Sequence, residues 1–405
     1  MTKILGVVLL AVLAVGVLGV AQTAVTPRAA EGVLLFDNET GAEVTRIGIL
    51  FDSPITLCTK DIVAIGGEAV TRLDVGVRTA WIDVKVVPGG TLQITLAGNA
   101  QVRSAYWVAS AQEKNKVIAR WLIDAVWLDG DLDATAEFID PSSVFHGDSM
   151  IGELDGVEEY AMFAATSHTA FPDTSVVIEE IIAEEDMVAV RATETMTHTG
   201  PLLAIPPTGA SIVCRLIVVY RFSDGKIQEG WLSMDALGML VQMGLIPPMG
   251  PPNFTWGTPS AVTGDPGTPE DNKVSASREP SKIWNERNLE MIDEIISEDY
   301  VGHYDMSPVN GREAYKQYLS GLFTAFPDVH ITVEKVFAEG DLVAFVATAT
   351  GTHLGPFGPA PATGNPMKVQ ALVIRRVADG KIVELWQLND MLGMLMQMGL
   401  VPPLQ

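Results

Sequence analysis

The chain has 405 residues, 48% of them hydrophobic and 19% charged, and its formal net charge at pH 7 is −24. This composition is typical of a folded protein of two or three domains and excludes an intrinsically disordered chain. The acidic balance, without a basic patch, argues against a nucleic-acid partner. The two cysteines, Cys58 and Cys214, lie far apart, which argues against a disulfide framework.

The N-terminus carries an apolar segment. One lysine precedes an unbroken apolar run over residues 4–21, and the run ends in small residues. This pattern predicts that residues 1–24 are a signal peptide or a membrane anchor. We therefore expect an exported protein, secreted or in the cell envelope, with residues 4–21 as a membrane tether if the segment is retained.

Residues 31–108 are predicted to form a small β-sandwich-like accessory domain. Short runs rich in β-branched residues alternate with glycine- and proline-containing turns at regular intervals. Neither a histidine or cysteine cluster nor a pair of carboxylates marks a site in this region. The sequence therefore indicates an accessory role for it.

The rest of the chain is a tandem repeat. Residues 111–248 and 270–405 share one order of helices and strands, and a Pro/Gly-rich linker, residues 249–269, joins them. From 170–247 against 325–402, 38 of 78 aligned positions are identical. Helices followed by antiparallel strands predict an α+β fold, with two tandem cone-shaped α+β barrels. Each would hold a pocket between its curved sheet and its helices, where ligands often bind.

Strand alternation in each copy places a tryptophan and an aspartate on one face, with a histidine on a neighbouring strand. An aspartate on an apolar surface has its charged form disfavoured, which moves its pKa toward neutrality, where a carboxyl group can transfer a proton at carbon. We therefore predict acid–base roles for Asp235, Asp390, His198 and His353. The alternative roles are a helix cap for each aspartate and a structural loop contact for each histidine.

A second set of residues is predicted to bind substrate: Trp231, Trp386, His146, His303, Arg215 and Gln370. The tryptophans could equally belong to the core, and the histidines could be structural. No two of the six histidines are spaced for a zinc-binding helix, so no metal site is expected.

The motifs in combination resemble those of the SnoaL-like polyketide cyclases, also called ester cyclases, of the nuclear-transport-factor-two-like superfamily. They include AFPD at 170–173, His-x-Gly at 198–200, PPTG at 206–209, and DGKI-x-E-x-W-x-x-x-D from Asp224. The second copy departs from PPTG, with PATG in its place. The match covers both repeats and leaves out the β region.

The resemblance implies an intramolecular aldol condensation or isomerisation of a small hydrophobic molecule, without a cofactor. It places the family's acid–base aspartate at Asp235 and Asp390 and its pocket histidine at His198 and His353. It also implies that the two cones pair with each other or that the chain forms a homo-oligomer. Two other functions stay open, a non-catalytic small-molecule-binding module and a structural module.

Overall fold

The structure, a computed structural model, describes residues 23–30, 33–40, 42–53, 55–96, 100–108, 110–248, 254–257, 263–305 and 307–402. Nearly all of the predicted signal peptide or anchor, residues 1–24, lies outside these ranges, so that assignment stays a prediction. No helix within the described ranges is both long enough and apolar enough to cross a membrane. The chain divides into two compact units, residues 1–75 with 79–109, and residues 76–78 with 110–405.

Within the described residues, the first unit consists of strands and a short 3-10 turn at Thr59–Asp61. The strands are β1 (Thr23–Ala24), β2 (Arg28–Ala30), β3 (Val33–Asp37), β4 (Val44–Phe51), β5 (Ile62–Gly67), β6 (Arg72–Val75), β7 (Thr79–Thr95) and β8 (Val102–Val108). They form one antiparallel sheet in the order β1-β8-β4-β7-β3-β2, and β5 and β6 also pair with β7. The predicted β region is therefore present, but as a single hydrogen-bonded sheet, because the long β7 pairs with four strands along its length.

The first repeat, which we call cone 1, begins with a helix that Ser110 caps by accepting a hydrogen bond from the Glu113 N–H. That helix, α1 (Ala111–Leu122), continues as a π-helix over Ile123–Leu128, and a 3-10 turn follows at Leu132–Ala134. The remaining elements are α2 (Thr135–Phe138), β9 (Ile139–His146), β10 (Glu153–Asp155), α3 (Gly156–Ala170), β11 (Ser175–Glu184), β12 (Met187–Thr197), β13 (Ser211–Ser223), β14 (Lys226–Met234) and α4 (Ala236–Gln242).

The second repeat, cone 2, has the same elements in the same order. Its first helix, α5 (Pro269–Arg278), is capped by Thr268 and continues as a π-helix over Glu279–Asn285, before a 3-10 turn at Leu289–Met291. The remaining elements are α6 (Ile292–Ile295), β15 (Ile296–His303), β16 (Pro308–Asn310), α7 (Arg312–Ala325), β17 (His330–Glu339), β18 (Leu342–Thr352), β19 (Pro366–Ala378), β20 (Lys381–Asn389) and α8 (Met391–Gln397).

Each cone has a six-stranded sheet that curls over its helices. The orders are β10-β9-β14-β13-β12-β11 and β16-β15-β20-β19-β18-β17, and only the β14–β9 and β15–β20 pairs in them are parallel. Register shifts occur at Ile178/Glu180 and Arg221/Phe222, and again at the equivalent positions of cone 2. Such irregularities bend strands and increase their twist. The prediction of an α+β fold with two tandem cones is confirmed.

The outer faces of the two cone sheets pack against each other. One buried apolar cluster contains Ile217, Trp231, Phe337 and Trp386, which come from both cones, together with Trp256 of the linker. Two ion pairs, Lys116–Glu339 and Lys273–Glu184, join the cones at equivalent positions. Each sheet therefore has two largely apolar faces, one toward its own helices and one toward the other cone.

Candidate functional site

Cone 2 encloses a cavity of about 140 Å³ between its sheet and its helices, which we call cavity 2. Most of its lining is aliphatic or aromatic, with side chains such as Leu322, Phe326, Phe345 and Val373. The acidic, basic, amide and hydroxyl side chains of the lining are those of Glu279, Tyr304, Asp305, Ser307, Tyr318, Arg375, Gln387 and Asn389. Cavity 2 thus combines an apolar wall with a small number of polar groups, as small-molecule sites commonly do.

Asp305, which directly follows β15, brings a carboxyl group to cavity 2. The side-chain amide of Asn389 donates to Asp305 Oδ2 at 2.5 Å, and the Asn389 backbone N–H donates to the same oxygen at 3.2 Å. Burial raises the pKa of Asp305 to about 7, although the nearby Arg215 guanidinium acts in the opposite direction. A carboxyl group with this pKa can both accept and return a proton near neutral pH.

Tyr318 lies on the wall of cavity 2, where it can supply a hydrogen-bond donor. Burial raises the pKa of its hydroxyl, and the negative charges of Asp305 and Glu279 raise it further. Its ring packs on Tyr304 with centroids 4.8 Å apart, and the Tyr304 hydroxyl is 2.8 Å from that of Tyr300. Tyr318 therefore stays protonated at neutral pH and can donate to an oxygen atom of a ligand.

A buried ionic network occupies another part of the wall of cavity 2. Glu279, in the π-helical segment that follows α5, accepts hydrogen bonds from Arg375 at 2.5 Å, from the Trp284 indole at 2.5 Å and from the Tyr315 hydroxyl. Arg375 also lies over the Phe345 ring, 4.3 Å from its centroid. Because its carboxylate is already saturated with donors, Glu279 is better suited to hold Arg375 in place than to transfer protons.

Cone 1 encloses an equivalent cavity of about 110 Å³, which we call cavity 1. Five aromatic residues share its lining, and these are Trp127, Tyr160, Phe163, Phe171 and Tyr220. Among the described residues of this lining, Glu194 is the only one with a carboxyl or basic group, and burial alone raises its pKa to about 7. The polar groups around Asp305 have no equivalents here, because Phe163, Leu232 and Met234 replace Tyr318, Gln387 and Asn389.

The structure places Asp235 outside the lining of cavity 1. Its side chain caps α4 by accepting the Gly238 N–H at 2.8 Å, and it pairs with Arg215 at 2.7 Å. Arg215 is fully buried and also donates to the backbone oxygens of Tyr304 and Asp305 in cone 2. Both residues therefore contribute to the contact between the cones, and the geometry favours the cap for Asp235.

Asp390 and Gln370 occupy the equivalent positions of cone 2 and likewise lie outside cavity 2. Asp390 caps α8 by accepting the Gly393 N–H at 2.8 Å, and it accepts the Ser149 hydroxyl of cone 1 at 2.6 Å. Gln370 donates weakly to the backbone oxygens of His146 and Leu232, at 3.4 and 3.3 Å. Where cone 1 has a buried ion pair, cone 2 therefore has only neutral contacts from Gln370.

The predicted catalytic histidines begin the loops that follow β12 and β18, and neither belongs to a cavity lining. His198 Nδ1 accepts the Thr208 N–H at 3.2 Å and lies 3.0 Å from the Thr208 hydroxyl, and His353 makes the same contacts with Thr363. Both side chains are fully buried, and burial lowers the pKa of His198. This geometry matches the structural alternative, in which the histidine holds the loop.

The tryptophans and histidines that were predicted to bind substrate lie on the outer faces of the sheets, away from the cavities. His146 Nε2 is 3.2 Å from Glu229, and His303 Nε2 is 2.9 Å from Glu384. Each histidine packs beside a tryptophan, Trp231 in cone 1 and Trp386 in cone 2, with ring centroids 5.6 Å apart. The cones bury this face of the last strand between them, so these predicted substrate-binding residues belong to neither cavity lining. Leu232 and Gln387, on the opposite face, line the cavities instead.

The cavity carboxyls, Glu194 and Asp305, were not among the residues predicted from the sequence. Glu194 lies on the same strand face as Met196, and the second repeat has Ala349 at the position equivalent to Glu194. This difference between the copies is the sequence signal that could have identified Glu194. Asp305 lies two residues after His303, a residue that was predicted. Within the described residues, no group of three or more histidine, cysteine, aspartate or glutamate side chains is arranged to hold a metal ion.

Comparisons with known proteins agree with this architecture. The sequence profile of the SnoaL-like polyketide cyclase family matches residues 116–243 and 276–398, which together are more than half of the chain. A comparison with curated protein sequences found no match.

Among solved structures, AclR of Streptomyces galilaeus, a candidate hydroxylase, is 28% identical over 34% of this chain and 87% of its own (TM-score 0.31). IdmH of Streptomyces antibioticus, a candidate polyketide cyclase, is 32% identical over 32% of this chain and 98% of its own (TM-score 0.29). A candidate SnoaL-like polyketide cyclase of Jannaschia sp. CCS1 is 24% identical over 36% of this chain and 99% of its own (TM-score 0.32). With one profile match in each cone, the chain belongs to the SnoaL-like polyketide cyclase family.

Proposed function

We propose that cone 2 catalyses an aldol-type ring closure in a small, largely apolar ketone, with Asp305 as the proton-transfer group. The observation that carries the proposal is a carboxyl group with a pKa of about 7 in the wall of an apolar cavity. Membership of the cyclase family favours ring closure over other reactions that begin with proton removal at carbon. This assignment moves the acid–base role from Asp390 to a residue that can reach a ligand in the cavity.

In the proposed reaction, the Asp305 carboxylate removes a proton from a carbon atom next to a carbonyl group. The resulting enolate oxygen accepts a hydrogen bond from the Tyr318 hydroxyl, which strengthens as negative charge develops. The enolate carbon then attacks a second carbonyl of the same molecule, forming a carbon–carbon bond. The new alkoxide takes back the proton from Asp305, so the step leaves the protein unchanged and consumes no co-reactant.

The size of cavity 2 limits the substrate. At about 140 Å³ it is similar to a cavity of roughly 150 Å³ that holds benzene in another protein. The atoms of one forming ring therefore fit within the cavity. The substrate class that we propose is a linear poly-β-ketone, or the end of one, that closes a single ring.

A direct test is the turnover of a synthetic linear triketone that can close one aromatic ring, followed by chromatography. We expect Asp305→Asn to reduce kcat/KM by roughly 100-fold to 10,000-fold, because the amide cannot accept the proton. Asp390→Asn is the matched control, since it makes the same chemical change in a residue that caps a helix and joins the cones.

Two results would contradict the proposal. One is that the wild-type protein does not accelerate ring closure of the triketone. The other is that folded Asp390→Asn loses turnover while Asp305→Asn retains it, which would return the acid–base role to the residue that the family resemblance indicates.

A further inference from the structure

Both cavities have aromatic residues in their walls, but the described lining of cavity 1 has a single carboxyl group and no basic group, whereas cavity 2 has two carboxyl groups and Arg375. Trp127 and Phe163 are only partly buried, and their rings meet edge to face with centroids 5.2 Å apart. The Trp127 indole donates to the Tyr160 hydroxyl at 3.0 Å, which fixes its orientation. The cavity therefore presents rigid aromatic surface to a ligand.

Glu194 projects into this environment from β12. It pairs across the sheet with Val176 on one side and with Cys214 on the other. Tyr160 and Tyr220 line the same cavity, and the negative charge of Glu194 contributes to raising the pKa values of their hydroxyls. Within the described lining no cation accompanies the carboxylate, in contrast to the Glu279–Arg375 pair of cavity 2.

This chemistry selects one class of ligand. An unpaired carboxylate in an apolar cavity is costly, and a cation bound beside it removes that cost. Aromatic rings attract ammonium groups through their negative faces, whereas an anionic ligand would be repelled by Glu194. The net charge of −24 also raises the concentration of cations near the protein.

We propose that cavity 1 is a binding site for a small hydrophobic amine, whose ammonium group pairs with the Glu194 carboxylate while its apolar part packs on Trp127 and Phe163. A volume of about 110 Å³ suits a single ring or a branched alkyl group. The site is separate from the reaction proposed for cone 2 and does not depend on it. Cone 2 lacks the site because Ala349 occupies the position equivalent to Glu194.

The test compares benzylamine with benzyl alcohol, which have the same ring and nearly the same size but differ in charge. By calorimetric titration of the full chain near pH 8, we expect benzylamine to bind about tenfold more tightly or better. Glu194→Gln should remove that preference and bind the two probes about equally. Glu194→Asp, which keeps the charge, should retain most of it.

Two further variants separate this site from cavity 2. Asp305→Asn should leave amine binding unchanged even where it abolishes ring closure. Ala349→Glu should add a second amine site in cone 2. The proposal is overturned if neither probe binds, if both bind equally to the wild-type protein, or if folded Glu194→Gln retains the preference for the amine.

Discussion

Cone 1 and cone 2 share a fold and much of their sequence, yet their cavities have different chemistry. Several motifs that the copies share serve the fold. Asp235 and Asp390 cap helices, and the loop histidines accept a hydrogen bond from a threonine N–H at Nδ1. The His–Glu pairs lie on the outer faces of the sheets. Asp305 has an identical counterpart in Asp148 of cone 1, but the polar groups that accompany it differ, as Glu194 against Ala349 and Asn389 against Met234 show. The chemistry of each cavity therefore depends on these differences and not on the shared motifs alone.

The contact between the cones is also asymmetric, because Arg215 of cone 1 has the neutral Gln370 as its equivalent in cone 2. We expect the substitution of Arg215 to have the largest effect on stability. Arg215→Met would leave Asp235 buried without its cation, and we expect it to destabilise the second unit by about 3–5 kcal/mol. Urea denaturation monitored by circular dichroism would measure the change. The matched control is Gln370→Met at the equivalent position of cone 2, and an equally large loss there would contradict the asymmetry.

The free energy of unfolding should also decrease as pH rises, because of three buried carboxyl groups. Asp148, Glu194 and Asp305 each have a folded-state pKa raised to about 7. A raised pKa means that the folded state binds the proton more tightly, so this stabilisation is complete below the unfolded-state pKa and is lost as pH rises through about 7. Surface aspartates with lowered pKa values, such as Asp173 and Asp328, act in a lower pH range.

We therefore expect the free energy of unfolding of the second unit to decrease by on the order of a few kcal/mol as pH rises from about 5 to about 8. Its thermal midpoint should decrease over the same pH range. Asp148→Asn should reduce the dependence of the midpoint on pH, because it removes one of the three carboxyl groups that take up a proton in this range. Asp173→Asn is the matched surface control and should leave this dependence intact. A midpoint that rises over this range would contradict the assignment of these carboxyls.

Phe163 of α3 and Tyr318 of α7 occupy equivalent positions in the two cones, and exchanging their side chains tests how the chemistry of the two cavities differs. Tyr318→Phe removes the proposed hydrogen-bond donor to the enolate oxygen, and we expect turnover of the triketone to fall by roughly tenfold to hundredfold. Phe163→Tyr makes the reverse change in cone 1 and should leave turnover as it is. Equal rates for Tyr318→Phe and the wild-type protein would remove Tyr318 from the mechanism.

The smallest effect is expected for Gln370→Ala. The hydrogen bonds that Gln370 donates to His146 and Leu232 are long, so their loss should cost about 1 kcal/mol or less. Differential scanning calorimetry would show a correspondingly small shift in Tm. A loss as large as that expected for Arg215→Met would mean that the neutral contacts carry as much of the cone–cone contact as the ion pair.

Much of this architecture could be predicted from the sequence, because the repeat, the helix caps and the strand patterns are local signals. The order of elements and the doubled cone follow from them. Asp235 and Asp390 were also recognised as candidate caps, since aspartate before a helix is a common N-cap.

The cavity-facing side of the last strand could not be identified in this way. Alternation shows that Trp231 and Asp235 share a face, but it does not show which face is inside when both faces are apolar. Trp386 and Trp231 are buried by the other cone, a contact between residues far apart in sequence. Glu194 was overlooked because a single glutamate in a strand reads as solvent-exposed unless the cavity beside it is known.

The central claim is that Asp305, rather than Asp235, Asp390 or Glu194, transfers the proton. The most direct measurement is the dependence of kcat/KM on pH for the triketone, in the wild-type protein, Asp305→Asn and Glu194→Gln. The charged and titratable neighbours of Asp305 are Arg215, Asp235 and Tyr318. We predict that kcat/KM of the wild-type protein and Glu194→Gln rises through an apparent pKa of about 7, and that Asp305→Asn lacks this rise. A rise that persists in Asp305→Asn and disappears in Glu194→Gln would contradict the account.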